Sequence, residues 1–355
     1  MTLLLLLACA PHLASATDTG APVPNVVGSV LLAGGTVVGL GVADVRIGEG
    51  RIVEVGAALD RAGAEVVDVS RRFLVPSFID SHVHLAYLPA EGAMADGGIA
   101  AAVDLAAPIE FLAAPHGSFR VVASGPMVTA VAGYPTRSWG SGGYGLECVD
   151  SAAAVAAVDT LFAAGAEVIK LPITGGAQLD TASLTAAAAL AHELGLPVVS
   201  HALSDSEAAV AAEVGADVLA HTPTGGLSAA SAAAWTGRAV VSTLGAFGGS
   251  GTTLSNLIAL QNAGATVLYG TDFGNTRAAG IDGRELELMA AAGLTPAEIL
   301  TSGTSAPAAF WGLDDLGTIA VGKAGSLLVL SADPLADAAV LAEPEQVWLA
   351  GVHRK

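Results

Sequence analysis

The sequence predicts an α/β protein, a (β/α)8 TIM barrel that carries a small β-sandwich module built from both chain ends. Three observations predict it. From about residue 78 the chain repeats strand, loop, Ala-rich helix, strand, which is the rhythm of βα units and a parallel sheet. That rhythm supplies eight candidate strands, and eight βα units in about 200–250 residues is the size of a barrel. Both ends of the chain read instead as short segments rich in Val and Ile with Gly-rich turns between them. An open doubly wound sheet has the same order of strands and helices, so order alone leaves both arrangements standing.

Composition supports a large folded core. Of 355 residues, 53% are hydrophobic and only 13% charged, which excludes wholesale disorder. The balance of 14 Lys plus Arg against 33 Asp plus Glu gives a formal charge of −19. Nucleic acid and anionic membrane surfaces both need clustered basic residues, so neither is an expected partner. A small-molecule substrate is the expected one, and the sequence is compatible with an oligomer.

Taken in order, the first segment is an apolar run at residues 3–10, far shorter than the roughly 20 residues of a membrane span. It fits the h-region of a secretory signal, with Ala14-Ser15-Ala16 as a small-residue cleavage site. Leu6-Leu7-Ala8-Cys9 equally fits a bacterial lipobox, in which Cys9 would be lipidated. The expectation is an exported protein, periplasmic or extracellular, held at a membrane only through a lipid anchor on Cys9. Residues 1–20 are therefore read as a signal and linker. Residues 21–76 form the first part of the β-sandwich module, with β segments at 26–32, 37–40, 42–47, 51–55 and 65–69.

Residues 77–313 are read as the barrel, with strands at 78–85, 101–105, 119–128, 167–171, 197–201, 217–221, 239–244 and 266–272. Helices at 151–164, 181–194 and 204–214 fill connections between them, and Gly195 and Gly215 mark helix stops. Residues 314–355 return to β character and are expected to rejoin the first module. Cys9 and Cys148 are the only cysteines, so no disulfide framework is available, and Cys148 reads as a small buried apolar residue.

The chemistry concentrates at the ends of the predicted strands. His82 and His84 are two apart in a strand, so both imidazoles project to one face. His201 and His221 also close predicted strands, so four of the eight histidines occupy equivalent positions. Imidazole is a common zinc ligand, and strand C-terminal ends are where barrel enzymes build their sites. Lys170 is one of only three lysines and ends the apolar run Val168-Ile169, where an ammonium is poorly solvated. It either snorkels to the strand end or pairs with a carboxylate, or it carries a depressed pKa and a modified amine, above all a carbamate formed with CO2. Asp272, in Gly270-Thr271-Asp272, is a carboxylate at the same level and suits a ligand, a general base or a helix cap. Gly140-Ser141-Gly142-Gly143-Tyr144-Gly145 satisfies G-x-G-x-x-G but lacks the strand-to-helix setting of a dinucleotide site, and it reads as an active-site loop.

His82-x-His84, Lys170, His201, His221 and Gly270-Thr271-Asp272, in this order along a βα chain, resemble the amidohydrolase superfamily, particularly its imidazolonepropionase-like and metal-dependent prolidase branches. The lead-in from Val75 to His82 and the exit Gly317-Thr318-Ile319 through Gly325 are also similar to that family. The resemblance implies that His82, His84 and Asp272 hold one zinc ion, that His201 and His221 hold a second, and that carboxylated Lys170 bridges them. It implies hydrolysis of a small amide, dipeptide, cyclic amide or lactone by metal-activated water, with Asp272 receiving the proton. Gly325-Ser326-Leu327 departs from the Ala-Asp-Leu common in relatives, and Gly133-Tyr134-Pro135 stands where some relatives keep a histidine. Tyr134 and Arg137 are the candidate substrate contacts, Arg137 being suited to a carboxylate. Two other readings share these residues: a mononuclear imidazolonepropionase-like cyclic amidohydrolase with Lys170 unmodified, and an exported metal-binding pseudoenzyme.

Overall fold

The computed structural model describes residues 28–117 and 119–355. The expected signal, the cleavage site and Cys9 lie outside them, as does the start of the first expected β segment. Five strands open the described chain: β1 (Ser29–Val37), β2 (Gly41–Gly48), β3 (Arg51–Gly56), β4 (Ala64–Asp68) and β5 (Phe73–Pro76). The segments expected at 26–32 and 37–40 are not two strands. Instead β1 runs through Gly34-Gly35, with a register shift between Leu32 and Gly35 in its pairing with β2. Gly34 takes a φ of +78°, which only glycine adopts cheaply, so the glycines bend the strand where a turn was expected.

The parallel strands follow: β6 (Phe78–Val83), β7 (Ile99–Asp104), β8 (Arg120–Ala123), β9 (Met127–Ala130), β10 (Gly145–Cys148), β11 (Ile169–Pro172), β12 (Val198–His201), β13 (Val218–Leu219), β14 (Ala239–Val241) and β15 (Thr266–Leu268). β6, β7 and β8 form one parallel group, and β11 to β15 form another in sequence order. Backbone bonds join the groups at both edges. Glu167 N donates to Ala123 O on one side, while Ser81 N donates to Tyr269 O and His84 N to Phe273 O on the other. The strand expected at 119–128 is broken at Gly125, whose φ is +65°, and its second half, β9, pairs with β10 instead.

One buried cluster takes aliphatic side chains from the joined strands or the residue just before them: Ile79, Val103, Val122, Val168 (immediately before β11), Val199, Val218, Val241 and Leu268. The opposite face packs on helices. The helix Ser151–Ala163 buries Ala154, Ala157, Val158 and Leu161, the i, i+3, i+4, i+7 stripe of a core-facing helix. Asp150, Asp180 and Ser204 accept bonds from Ala153, Ser183 and Glu207 N–H groups at the starts of three of these helices.

The chain ends in β16 (Leu327–Leu330), β17 (Gln346–Leu349) and β18 (Val352–His353). β16 pairs antiparallel with β5, so both ends of the chain share a single mixed sheet ordered β18-β17-β16-β5-β1-β2-β3, with β4 beside β1. β5 passes into β6 after only Ser77, and this sheet therefore fixes where the first parallel strand begins. Phe78, fully buried at that junction, packs where Gly303 leaves no side chain: a Cβ there would lie 2.2 Å from the Phe78 ring. Gly303→Ala is expected to destabilise the fold by about 1–3 kcal/mol, read as a lowered melting temperature.

Candidate metal centre and active site

His82 and His84 close β6 and project to one side, as the two-residue strand period requires. The His82 Nδ1–H donates to Ala220 O at 2.8 Å. A carbonyl only accepts, so Nδ1 carries the proton and the Nε2 lone pair is free. That Nε2 is buried and has no hydrogen-bond partner. Such a fixed tautomer with an exposed lone pair is what a backbone carbonyl does for a metal-binding imidazole.

Asp272 meets both imidazoles. Its Oδ1 lies 3.1 Å from His84 Nε2 and 3.6 Å from His82 Nε2. Ligand atoms sharing one tetrahedral ion with bonds near 2.1 Å sit about 3.4 Å apart, so these three side chains have the spacing of a ligand set. Asp272 is held in the left-handed region at φ 54°, and its N–H donates to His82 O at 2.9 Å. Strain of this kind persists where surrounding contacts over-determine it. Gly270 lets this turn fit between β14 and β6, because a Cβ there would lie 2.3 Å from Val241 and 3.1 Å from His82 N. The helix-cap reading of Asp272 is not met, since Asp282 caps the helix that follows.

His201 ends β12, and His221 follows β13 by two residues. Their rings lie 4.9 Å apart, His221 stands 4.6 Å from His82, and His221 Nδ1 pairs with Thr243 Oγ1 at 3.1 Å. Lys170 on β11 is fully buried, and its Nζ has no hydrogen-bond partner. Burial pushes its pKa down to about 7. Burial likewise lowers His201 to about 4 and holds His82 and His221 well below the usual imidazole range, so these rings are neutral at pH 7. Burial raises Asp272, but His82, His84 and the Asn275 amide outweigh it and leave the carboxylate near 2. Neutral imidazoles, an ionised carboxylate and an amine that sheds its proton near neutrality are the protonation states a cation requires.

All six expected ligand residues and Tyr134 line one cavity of about 340 Å³ with Met127, Trp139, Leu203, Phe247 and Asn275. Arg137 does not. It is exposed on the loop that carries Tyr134, because the turn that aims Tyr134 inward carries Arg137 out toward solvent and Glu147. The expected contact of Arg137 with a substrate carboxylate is therefore corrected. Tyr134 stacks on His201 at 4.8 Å and accepts a bond from the Trp139 indole N–H at 2.9 Å. Burial raises its pKa, so it remains a protonated donor.

Several residues that shape the site escaped sequence reasoning. Asp80 is fully buried and accepts bonds from His82 N, Thr271 N and Thr271 Oγ1, tying β6 to the Asp272 turn. Burial pushes its pKa to about 7. Asp104 accepts from Ala86 and Ala106 N–H groups and fixes the turn after His84. Glu285 accepts from Leu244 and Gly245 N–H groups, pinning the loop that presents Phe247. Asp80 and Asp104 carry the signal that drew attention to Lys170, a charged side chain inside an apolar strand.

Imidazoles, a carboxylate and an unpartnered amine gathered at the C-terminal ends of parallel strands define an α/β protein with a candidate metal site. Residues 250–353 match the amidohydrolase family model. A 61-residue stretch is 46% identical to a dihydroorotase of Pelotomaculum thermopropionicum, covering 16% of this chain and 14% of that protein. Over 92% of its length the fold is similar to a Xaa-Pro dipeptidase with bound methionine (TM-score 0.78, 17% identity, 99% of that chain). It is similar over the same share to a prolidase structure from Bifidobacterium longum (TM-score 0.74, 24% identity, 95% of that chain). The C-terminal part of the chain is thus similar to the amidohydrolase family, and the fold over most of its length is similar to that of the two peptidase structures.

Proposed function

We infer that this protein is a metal-dependent hydrolase acting on the C–N bond of a small amide-type substrate. The observation that carries the reading is the pair of buried, unpartnered nitrogens, His82 Nε2 and Lys170 Nζ, facing the same cavity as Asp272. Leaving such groups unsatisfied costs about 1–3 kcal/mol each, more for a charge, and a bound cation removes that cost. His82, His84 and Asp272 would hold one ion, and His201 and His221 would hold a second. Lys170, once carboxylated, would bridge them, because an amine titrating near 7 is available to add CO2 at neutral pH. Zinc suits this nitrogen and oxygen donor set.

A bound divalent cation supplies hydroxide near neutral pH and polarises a carbonyl. The rest falls to the chain's own residues. Asp272, ionised and oriented by Asn275 Nδ2–H at 3.0 Å, accepts the proton of the attacking water and returns it to the leaving nitrogen. The hydroxyl of Tyr134 accepts from Trp139, which leaves its own proton to donate to a substrate oxygen. We read the joined parallel strands as a (β/α)8 barrel and the mixed terminal sheet as its β-sandwich module. The common buried cluster supports the barrel reading.

A mononuclear centre is the second reading. It is favoured by one observation: among the described residues, His82, His84 and Asp272 are the one group of three or more His, Cys, Asp or Glu side chains whose ligand atoms all lie within 4.8 Å of one another. Elemental analysis of protein purified with zinc and bicarbonate separates the two. About two metals per chain and a mass increment of one CO2 on the Lys170 peptide are expected. About one metal with an unmodified Lys170 would move the assignment to the mononuclear centre, and none would overturn the hydrolase reading.

A further inference from the structure

The walls of the cavity are more apolar than its floor. Three aromatic side chains each pack on a different histidine: Trp139 on His84 with ring centroids 4.9 Å apart, Tyr134 on His201 at 4.8 Å, and Phe247 edge-on to His221 at 4.9 Å. Met127, Leu203 and Ala246 fill the spaces between them. The Trp139–Tyr134 hydrogen bond locks one side of this wall, and the Glu285 carboxylate pins the backbone of the loop that carries Phe247. The apolar surface is therefore preformed, which lowers the cost of ordering it around a ligand.

Away from the ligand-type residues, the polar side-chain groups lining the cavity are the Tyr134 hydroxyl, the Trp139 indole N–H, which donates to that hydroxyl, and the Asn275 amide, which donates to Asp272. Among the described residues that line it, Lys170 on the floor is the only lysine or arginine. A carboxylate carried by a substrate away from its scissile bond would lie against Trp139, Tyr134 or Phe247 with no lysine or arginine on that wall to pair it. Burying an unpaired charge is far more costly than burying an apolar group. The chain's formal charge of −19 adds a long-range bias against anions on approach.

Resting on the hydrolase reading above, we propose that the substrate is an uncharged carboxamide, carbamate or urea bearing a flat apolar group, and that free dipeptides are not substrates. The flat group lies against Trp139 and Phe247 while the Tyr134 hydroxyl donates to the carbonyl oxygen. Hydrolysis adds water across the C–N bond: oxygen goes to the carbonyl carbon, and the two protons end on the released amine and the released acid. An aromatic group gains both buried area and ring-to-ring contact in such a pocket.

The test uses the zinc-loaded protein and matched substrates. A neutral acyl anilide is compared with its 4-carboxy analogue, a neutral benzamide with its 4-carboxy analogue, and alanyl-proline serves as the zwitterionic reference. The neutral member of each pair is expected to have the higher kcat/KM by at least about tenfold, with alanyl-proline below both. Equal or better turnover of the carboxylated members, or of alanyl-proline, would overturn the substrate class and leave the hydrolase reading standing. If no compound is turned over, calorimetric binding still decides. Tighter binding of the neutral members supports the apolar site while counting against hydrolysis of these bonds. No preference, no binding, or a preference for the carboxylates overturns it.

Discussion

Asp272→Asn is expected to lower kcat by about 10²–10⁴-fold while leaving the fold intact. The substitution keeps the size and planar shape of the side chain, so the turn from Gly270 to Thr276 retains its backbone bonds to His82 O and Asp272 O. What is lost is a group ionised across the working pH range, since the carboxylate titrates near 2. An amide neither accepts the proton of an attacking water nor delivers one to the leaving nitrogen. Metal content measured on the same preparation separates the two roles of this side chain. A large fall in kcat with metal retained assigns Asp272 to proton transfer, and a parallel loss of metal assigns it first to binding. Unchanged kcat would remove it from the chemistry altogether. The variant is chosen over Asp272→Ala because truncation leaves His84 Nε2 and Asn275 Nδ2 without their present partner, which mixes stability into the readout.

Much of this site was legible because its signals are local. Two histidines two residues apart at a strand end converge by the geometry of the strand itself. A lysine after Val168-Ile169 stands out because a charge in an apolar run needs a reason. Helix starts were legible for the same cause, since Asp150, Asp180 and Ser204 bond to N–H groups only three residues away. What escaped depends on distance along the chain. Asp80 earns its place through Thr271, 191 positions later, and Glu285 through a loop 40 positions earlier. Glu285 also hides on the buried stripe of its helix, beside Leu286, Leu288 and Met289, where a carboxylate reads as an exception to the pattern. Arg137 shows the reverse error. Its chemistry suited a substrate carboxylate, but side-chain direction in an irregular loop is set by the turn, which the residue type does not reveal. In β1, Gly34-Gly35 read as a turn because turns and bulges draw on the same freedom of glycine, and only the pairing with β2 tells them apart.

Lys170→Met is expected to move stability and activity in opposite directions. In the metal-free protein the wild-type amine is fully buried, has no hydrogen-bond partner, and titrates near 7 where an unfolded lysine titrates near 10.5. Between those values the unfolded chain binds the extra proton, so this group makes stability rise with pH from about 7 to 10.5 and leaves its full cost in place below 7. The gap corresponds to a cost on the order of 5 kcal/mol at low pH. Methionine fills a similar volume without an ammonium, so the metal-free variant is expected to melt higher than wild type at pH 6, with the difference shrinking toward pH 10. Its kcat is expected to fall by at least about 100-fold and its metal content from about two to one, because the bridging group is gone. Thermal melts across pH, run beside elemental analysis, check both halves. A variant that is less stable at pH 6 would mean that the buried amine has a partner in solution, and undiminished metal and kcat would remove the bridge. A fully buried lysine kept without a hydrogen-bond partner at a stability cost is most simply explained by what it does once the cavity holds its ions.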